Sequence, residues 1–190
     1  MKIILASNSK RRQELLKMLN LSYEIVVSEK EEIQDENLTP LENCFNISLA
    51  KGKDVLEKTS GDRIIISCDT IVVKDNKIYG KPKNREEAYN MLKTFSGTSH
   101  EVLSCLTVIK VLNDQEKIFK DYGKASVYID LMSDFEIYDW IDKSNPYDKA
   151  GAYAIQEEFG KYITKIEGDF YTIVGLPINK LYRILKEIMD

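Results

Sequence analysis

Leu5-Ala6-Ser7-Asn8-Ser9-Lys10-Arg11-Arg12 leads from a short apolar strand, predicted over residues 3–6, into a helix that begins with three consecutive cations. The N-terminal end of a helix carries a partial positive charge, so each cation there is disfavoured by about 0.3–1 kcal/mol. An anion between the helix end and the cations reverses this, because free N–H groups, serine hydroxyls and guanidinium groups can all bind it. The stretch therefore predicts a phosphate-binding turn, with solvated surface arginines as the alternative.

The starts of three other predicted helices carry the opposite charge. Residues 39–42 and 133–136 each form a capping box, and Asn84 is followed closely by Glu86 and Glu87. These three starts obey the helix-dipole rule and the first helix violates it. Because local rules tend to fail where a protein functions, the contrast favours the anion site over the surface arginines.

Composition limits the classes of protein to consider. The chain has 190 residues, 43% of them hydrophobic, which suits one ordinary globular domain or a bilobed one. The net charge of −4 disfavours a general nucleic-acid binder. We identify no apolar run long enough for a membrane span or a signal peptide, and three widely spaced cysteines predict reduced thiols. We therefore expect a cytoplasmic protein with no membrane or nucleic-acid partner.

The alternation of apolar patterns predicts an α/β fold with a mixed, twisted sheet and flanking helices. A turn signal at residues 113–115 predicts a hairpin, which adds an antiparallel pair. We expect a single domain over residues 1–190, and a split into two lobes has no visible boundary. The predicted strands are 3–6, 23–27, 64–73, 102–112, 118–129 and 170–174, and the predicted helices are 10–19, 40–56, 85–95, 134–142 and 177–189.

Asp69 interrupts the apolar, largely β-branched run of residues 64–73, which is typical of a central strand. A carboxylate is costly to bury unless it is paired or binds a metal. The functional interpretation is a metal-binding or general-base carboxylate at a strand end. A strand-end cap, or the start of a turn, is the alternative.

Two lysines are candidates for anion binding. The apolar stripe predicted for helix 40–56 comprises Phe45, Leu49, Gly52 and Leu56. Lys53 is expected at the edge of this stripe, and Lys51 is expected to point away from it. Lys81 lies in a turn before Pro82, which would direct it inward. For both Lys53 and Lys81 the alternative is a solvated surface lysine.

Three further features carry weaker signals. His100 is the only histidine and forms no recognisable catalytic triad with the scattered cysteines, so we interpret it as structural. Glu31 and Glu32 form an acidic pair that is plausible as metal ligands. The small-residue segment 148–156 ends in Gln156, whose amide has the donor and acceptor needed to bind a base edge.

Together these segments resemble the Maf family of nucleoside triphosphate pyrophosphatases over essentially the whole chain. Segment 148–156 is similar to the subgroup that acts on dTTP and UTP. Seven segments in the same order make the resemblance specific, although each one alone would be weak. The matching segments are Leu5–Arg12, Leu49–Lys53, Asp69–Thr70, Gly80–Pro82, Ser96–His100, Asp148–Gln156 and Gly175–Pro177.

The resemblance implies hydrolysis of a nucleoside triphosphate to the monophosphate and pyrophosphate. It further implies a two-lobed α/β fold around a central cleft, similar to inosine triphosphate pyrophosphatase, and a homodimer. A divalent cation is implied as cofactor, Mg²⁺ or Mn²⁺, with Co²⁺ as a third candidate. The implied residues are Asp69 as the catalytic proton acceptor, Asp69 and Glu32 for the metal, Ser7, Ser9, Arg11, Arg12, Lys53 and Lys81 for phosphate, and Arg12, Thr70 and Gln156 for specificity.

Departures from the family pattern leave other functions open. Glu157 adds a negative charge near the expected base pocket, and the loop of residues 31–42 is longer by a couple of residues. The alternatives are a pyrophosphatase for 7-methyl-GTP or another modified nucleotide, and a nucleotide-binding regulator of septum formation. A single-stranded nucleic-acid binder is a third alternative, and the acidic net charge argues against it.

Overall fold

The computed structural model describes residues 1–189. Six helices and seven strands occur in this part of the chain, together with three short 3₁₀ turns. The helices are α1 (Lys10–Lys17), α2 (Pro40–Glu57), α3 (Arg85–Phe95), α4 (Asp134–Lys143), α5 (Phe170–Val174) and α6 (Ile178–Met189). The strands are β1 (Lys2–Leu5), β2 (Glu24–Ile25), β3 (Arg63–Lys74), β4 (Lys77–Tyr79), β5 (Ser99–Leu112), β6 (Gln115–Ile129) and β7 (Ile163–Gly168).

The strands form one mixed sheet in the order β2-β1-β3-β5-β6-β7, and β4 pairs with β3. β1 is parallel to both β2 and β3, whereas the pairs β3–β4 and β6–β7 are antiparallel. The predicted hairpin joins β5 to β6 through Asn113 and Asp114, both in the left-handed region with φ of 50° and 61°. Short polar residues tolerate this conformation, which suits a two-residue hairpin turn. The predicted α/β class with a mixed sheet is confirmed.

The chain divides into two compact units, each built from separate ranges. The first unit comprises Met1–Thr70, Ser104–Gly123 and the chain from Gly175 onwards. The second comprises Ile71–Leu103 and Lys124–Val174. That the whole chain forms a single bilobed domain around a cleft stays a prediction.

The core of the first unit lies where β1, β3 and β5 meet α2. One cluster of buried residues in this core comprises Ile4, Ala6, Val55, Ile65, Ile109 and Val111. α2 approaches β3 closely at Gly52, where an added Cβ would lie 2.8 Å from the Ser67 hydroxyl oxygen. The Ser67 hydroxyl in turn donates to the Ser48 carbonyl of α2 at 2.8 Å. The absence of a side chain at Gly52 and the hydrogen bond from Ser67 to Ser48 therefore hold α2 close to β3.

Aromatic rings form much of the core of the second unit. Phe159 is fully buried, and its ring centroid lies 5.2 Å from that of Trp140 and 4.7 Å from that of Tyr153. The Trp140 indole N–H donates to the Ala152 carbonyl at 3.0 Å. This bond holds Ala152 in its left-handed conformation, with φ of 67°.

The predicted secondary structure is wrong for one segment, and it omits the strands β4 and β7. Residues 170–174 form helix α5 and not a strand, because the Asp169 carboxylate accepts the N–H groups of Tyr171 and Thr172 and so starts a helix. Strand β7, by contrast, was not predicted. Its residues are largely polar and exposed, as in an edge strand, and they lack a buried apolar pattern.

Among the described residues, no helix has the length and apolar character that crossing a membrane requires.

Candidate functional site

The strand order reverses at β1, which pairs in parallel with β2 on one side and β3 on the other. In open α/β sheets, ligands bind outside the carboxyl ends of the strands at such a switch point. β1 pairs with β3 as far as Leu5 opposite Ile66, and β3 then continues through Asp69 and Thr70. These two residues therefore lie beside the carboxyl end of β1, in the first unit.

The turn after β1 is built from serines. Ser9 is the N-cap of α1, and its hydroxyl oxygen accepts the Arg12 backbone N–H at 3.5 Å. The Ser7 hydroxyl oxygen accepts the Ser9 N–H at 3.2 Å. The first turn of α1 contains no acidic residue. The predicted strand–turn–helix geometry is thus present, with Arg11 and Arg12 in the first turn of the helix.

The Arg12 guanidinium is fixed by three hydrogen bonds. Its Nε donates to the Gly175 carbonyl at 2.9 Å, its Nη1 to the Ser7 hydroxyl at 3.3 Å and its Nη2 to the Thr70 hydroxyl at 3.2 Å. Thr70 also hydrogen-bonds the buried Ser104 hydroxyl at 2.8 Å. Gly175 has φ of 120°, a conformation that favours glycine. The structure thus places a rigidly held cation beside the carboxyl end of β1.

A buried ion pair lies on the other side of β3. Lys51 Nζ is 2.7 Å from Asp69 Oδ1 and also 2.7 Å from Glu32 Oε1. One ammonium group from α2 therefore joins a strand carboxylate to a loop carboxylate. Asp69 and Thr70 are consecutive in the strand, so their side chains point to opposite faces. Asp69 faces Lys51, and Thr70 faces Arg12.

The expectation that Lys51 points away from the interior is wrong. The Lys51 side chain is only 12% exposed, whereas that of Lys53 is 40% exposed and pairs with Glu116. Lys51 follows the buried residues Ile47 and Ser48 at helical spacing, which puts it on the inner face of α2. Phe45, Leu49 and Leu56, which were expected to form the buried stripe, are only partly buried. The inner face of α2 contains small and polar residues, so a pattern based on hydrophobicity did not identify it as the buried face.

The model of the Maf-like protein family matches residues 2–188. The chain belongs to the Maf family.

Curated relatives match this Maf chain over nearly its full length. A protein of Thermoanaerobacter sp. (strain X514), named dTTP/UTP pyrophosphatase, is 43% identical over 100% of this chain and 98% of its own length. A protein of the same name from Clostridium botulinum (strain Eklund 17B / Type B) is 46% identical over 98% of this chain and 99% of its own. Among solved structures, the Staphylococcus aureus Ham1 protein is 18% identical, with a TM-score of 0.48 over 99% of this chain and 100% of that one.

Asp69 and Glu32 of the Maf chain are two carboxylates that could hold a divalent cation, because both lie 2.7 Å from the same Lys51 ammonium. Within residues 1–189 no group of three or more histidine, cysteine, aspartate or glutamate side chains is arranged to hold a metal. Mg²⁺ commonly binds through one or two carboxylates together with substrate phosphates, and does not need a cage made only of protein. The two carboxylates joined by Lys51 fit a cation of this kind, bound together with a phosphorylated substrate.

The remaining predicted residues, Lys81 and Gln156, belong to the second unit of the Maf chain. Gln156 is exposed, and the next residue, Glu157, pairs with the buried Lys149 at 3.3 Å. Lys149 also pairs with Asp148 at 2.9 Å. The negative charge that Glu157 adds therefore has a cationic partner within the same segment.

His100 is buried in the second unit, where its Nε2 lies 2.7 Å from the Tyr153 hydroxyl. Burial lowers the pKa of His100 to about 3 and raises that of Tyr153. The imidazole is therefore neutral near pH 7. Its burial agrees with the structural interpretation.

Proposed function

We propose that this Maf protein hydrolyses dTTP and UTP between the α- and β-phosphates, releasing the nucleoside monophosphate and pyrophosphate. The observation that carries this proposal is the similarity of 43–46% identity, over almost the entire chain, to relatives named dTTP/UTP pyrophosphatase. The geometry at the carboxyl end of β1 supports it, because a fixed cation and a buried carboxylate flank the same stretch of β3. The chain is thus a hydrolase of nucleotide phosphoanhydride bonds.

The triphosphate tail is assigned to the turn after β1. Arg11, Arg12 and the N–H groups that open α1 supply the positive charge, while Ser7 and Ser9 supply hydroxyls. Arg12 is already held by three protein acceptors, so little of its conformational freedom remains to be lost when substrate binds. Cationic groups fixed in advance stabilise the charge that develops as the phosphoanhydride bond breaks.

Asp69 is assigned to the attacking water. A carboxylate at this position can orient the water and accept its proton as the oxygen attacks phosphorus, while pyrophosphate leaves. Lys51 holds Asp69 in place and binds Glu32 with the same ammonium group. We therefore assign to Lys51 the role of holding the two acidic residues, whereas the sequence suggested Lys53 for phosphate binding. Lys53 faces Glu116 instead.

Mg²⁺, Mn²⁺ or Co²⁺, when bound by Asp69 and Glu32 together with substrate, would supply Lewis-acid neutralisation of the phosphate oxygens. Arg12 and Thr70 are further assigned to substrate choice, since their hydrogen bond fixes both side chains beside β1. Lys81 and Gln156 keep their predicted roles towards phosphate and base. The variants Lys81→Ala and Gln156→Ala test them, the first by loss of kcat/KM for every triphosphate and the second by a change in the ratio between bases.

A panel of nucleoside triphosphates tests the proposal. Natural nucleotides and modified ones, including 7-methyl-GTP, are each incubated with Mg²⁺, Mn²⁺ or Co²⁺, and the products are separated. We expect pyrophosphate and the monophosphate, with dTTP and UTP cleaved fastest. Release of inorganic phosphate would contradict cleavage at the α–β bond. Preference for 7-methyl-GTP would favour the modified-nucleotide alternative, and tight binding without turnover would favour a regulator.

We further propose a cytoplasmic homodimer with no nucleic-acid or membrane partner. The net charge of −4 supports the absence of a nucleic-acid partner. Light scattering after size-exclusion chromatography measures the mass of the particle. Binding of labelled single-stranded DNA, titrated with salt, tests for a nucleic-acid partner.

A further inference from the structure

The segment between β2 and α2, residues 26–39, contains no helix or strand, yet it carries Glu32. The Glu32 side chain is 47% exposed, so little packing holds it. An ion pair whose carboxylate is 47% exposed contributes too little to order a loop, since each ordered residue loses conformational entropy. The contact between Glu32 and Lys51 therefore needs the loop to be fixed elsewhere.

One fixed point lies just before Glu32. The Asp54 carboxylate, buried on α2, accepts the Glu29 backbone N–H at 2.9 Å. Lys58 Nζ lies 3.0 Å from Asp54 Oδ2 and 3.0 Å from Glu29 Oε2, which closes a small network. The Glu29 N–H and the Lys58 ammonium lower the pKa of Asp54, so the carboxylate stays ionised at neutral pH.

A second fixed point lies just after Glu32. The buried Asn43 side chain accepts the Asp35 backbone N–H at 2.8 Å through Oδ1. Its Nδ2 donates to the Asp35 carbonyl at 2.9 Å and to the Leu38 carbonyl at 3.2 Å. One amide side chain therefore binds both backbone groups of Asp35.

The two side chains that bind the loop, Asn43 and Asp54, belong to the same helix as Lys51. Asn43, Lys51 and Asp54 are separated by eight and three residues, so all three lie on the same side of α2. The loop is bound at Glu29 and at Asp35, and Glu32 lies between these two residues. Each bond is made by a buried polar side chain, whose loss would leave a backbone N–H without its acceptor.

We propose that Asp54 and Asn43 are positioning residues that hold the loop of residues 29–35, so that Glu32 meets Lys51 beside Asp69. This inference rests on the proposed function for its effect on catalysis, but the anchoring itself does not. Both residues act through the position of Glu32.

Amide hydrogen exchange tests the anchoring without any assay of activity. In Asp54→Ala, we expect the hydrogen-bonded amides of Glu29 and Asp35 to lose protection by about tenfold, while those of β3 keep theirs. Glu57→Ala, an exposed carboxylate on the same helix, is the matched control and should leave the loop unchanged. Equal protection of the loop in Asp54→Ala and wild type would overturn the proposal.

A double-mutant cycle tests the link to Glu32. Asp54→Ala should raise the Mg²⁺ concentration for half-maximal pyrophosphate release by about fivefold or more, and have little further effect in a Glu32→Gln background. Asp54→Asn keeps an acceptor for the Glu29 N–H and should recover most of the activity. Full additivity with Glu32→Gln would show that Asp54 acts on stability alone and would overturn its positioning role.

The two measurements separate the two proposals. A wild-type protein that releases no pyrophosphate would refute the proposed function, and the exchange experiment would still decide whether Asp54 holds the loop. Loss of loop protection with unchanged Mg²⁺ dependence would refute the positioning of Glu32 and leave the pyrophosphatase intact. Asn43→Ala repeats the test from the other fixed point.

Discussion

Asp69 in the first unit and His100 in the second are almost equally buried, at 4% and 3% exposure, yet their surroundings differ. Asp69 lies 2.7 Å from the Lys51 ammonium, so a charged partner accompanies the carboxylate. His100 meets the neutral Tyr153 hydroxyl and the Phe95 ring, and its Nδ1 has no hydrogen-bond partner within residues 1–189. The first region keeps a charge by pairing it, and the second excludes charge by burial. The first region is therefore the one to which we assign chemistry on a polyanion.

The variant Asp69→Asn tests most directly whether the charged region around Asp69 carries catalysis. This change keeps the shape of the side chain and removes its ability to accept a proton, so kcat should fall by about 10²- to 10⁴-fold. Pyrophosphate release measures the loss, and circular dichroism checks that the fold is kept. Asp62→Asn, at a carboxylate that accepts the Asn113 N–H, is the control. Near-normal turnover by Asp69→Asn would remove the charged region from catalysis.

Arg12→Ala is expected to have the next largest effect. Loss of the guanidinium should lower kcat/KM by more than about tenfold, which is about 1.4 kcal/mol of transition-state stabilisation. Arg12→Lys should restore little, because a lysine cannot make the three bonds to Gly175, Ser7 and Thr70 at once. Steady-state kinetics with dTTP measure both variants. An unchanged kcat/KM would place Arg12 outside the site.

Two lysines of α2, Lys51 and Lys53, show which cation on this helix matters for catalysis. Lys51→Ala leaves Asp69 without its cation and should lower kcat/KM by about tenfold. Lys53→Ala breaks a more exposed pair with Glu116 and should change kcat/KM by less than about twofold. The two substitutions are chemically identical and only two positions apart. If Lys53→Ala were the more damaging, the family resemblance would have identified the lysine correctly and the geometry would have misled us.

The smallest effect concerns the neutral region and its pH dependence. The pKa of His100 is about 3 in the folded chain, against an ordinary value of 6.5. Between pH 3 and pH 6.5, His100 is protonated in the unfolded chain but not in the folded chain. A fall in pH within this range therefore lowers the free energy of unfolding by up to about 1.4 kcal/mol per pH unit. His100→Gln removes this contribution, so its stability should depend less steeply on pH from 6.5 downward.

Urea unfolding at a series of pH values compares the two proteins. Because the chain has a single histidine, the difference between wild type and His100→Gln has one source. Parallel pH curves would show that the imidazole is charged in the fold. The pH dependence of pyrophosphate release should be the same in both proteins.

Local signals predicted the start of α1 and the position of Asp69 in β3, because caps, dipoles and β-branched runs act within a few residues. Lys51 was missed because the face that a helix buries depends on its neighbours. The inner face of α2 contains Asn43, Ser48 and Asp54, polar residues that a hydrophobicity pattern assigns to the surface. Helix α5 was missed for a similar reason, since one bond network at Asp169 outweighs strand-forming residues.

The roles of Lys81 and Gln156 rested mainly on the family resemblance, because the local signals at both residues were weak. Each residue has a chemistry that suits many surfaces, and the spacing around it indicates no particular ligand. The fold class, by contrast, followed from the alternation of strands and helices, which is a property of the whole chain.

The close approach of α2 to β3 at Gly52 makes this position sensitive to the distance between the helix and the strand. An alanine methyl group there would lie 2.8 Å from Ser67 Oγ, so either the Ser67 hydroxyl rotates away from the Ser48 carbonyl or the helix moves away from the strand. Gly52→Ala changes no charge and removes no ligand, yet a movement of the helix would carry the neighbouring Lys51 away from Asp69. A single methyl group on the buried face of α2 would then lower the rate of turnover.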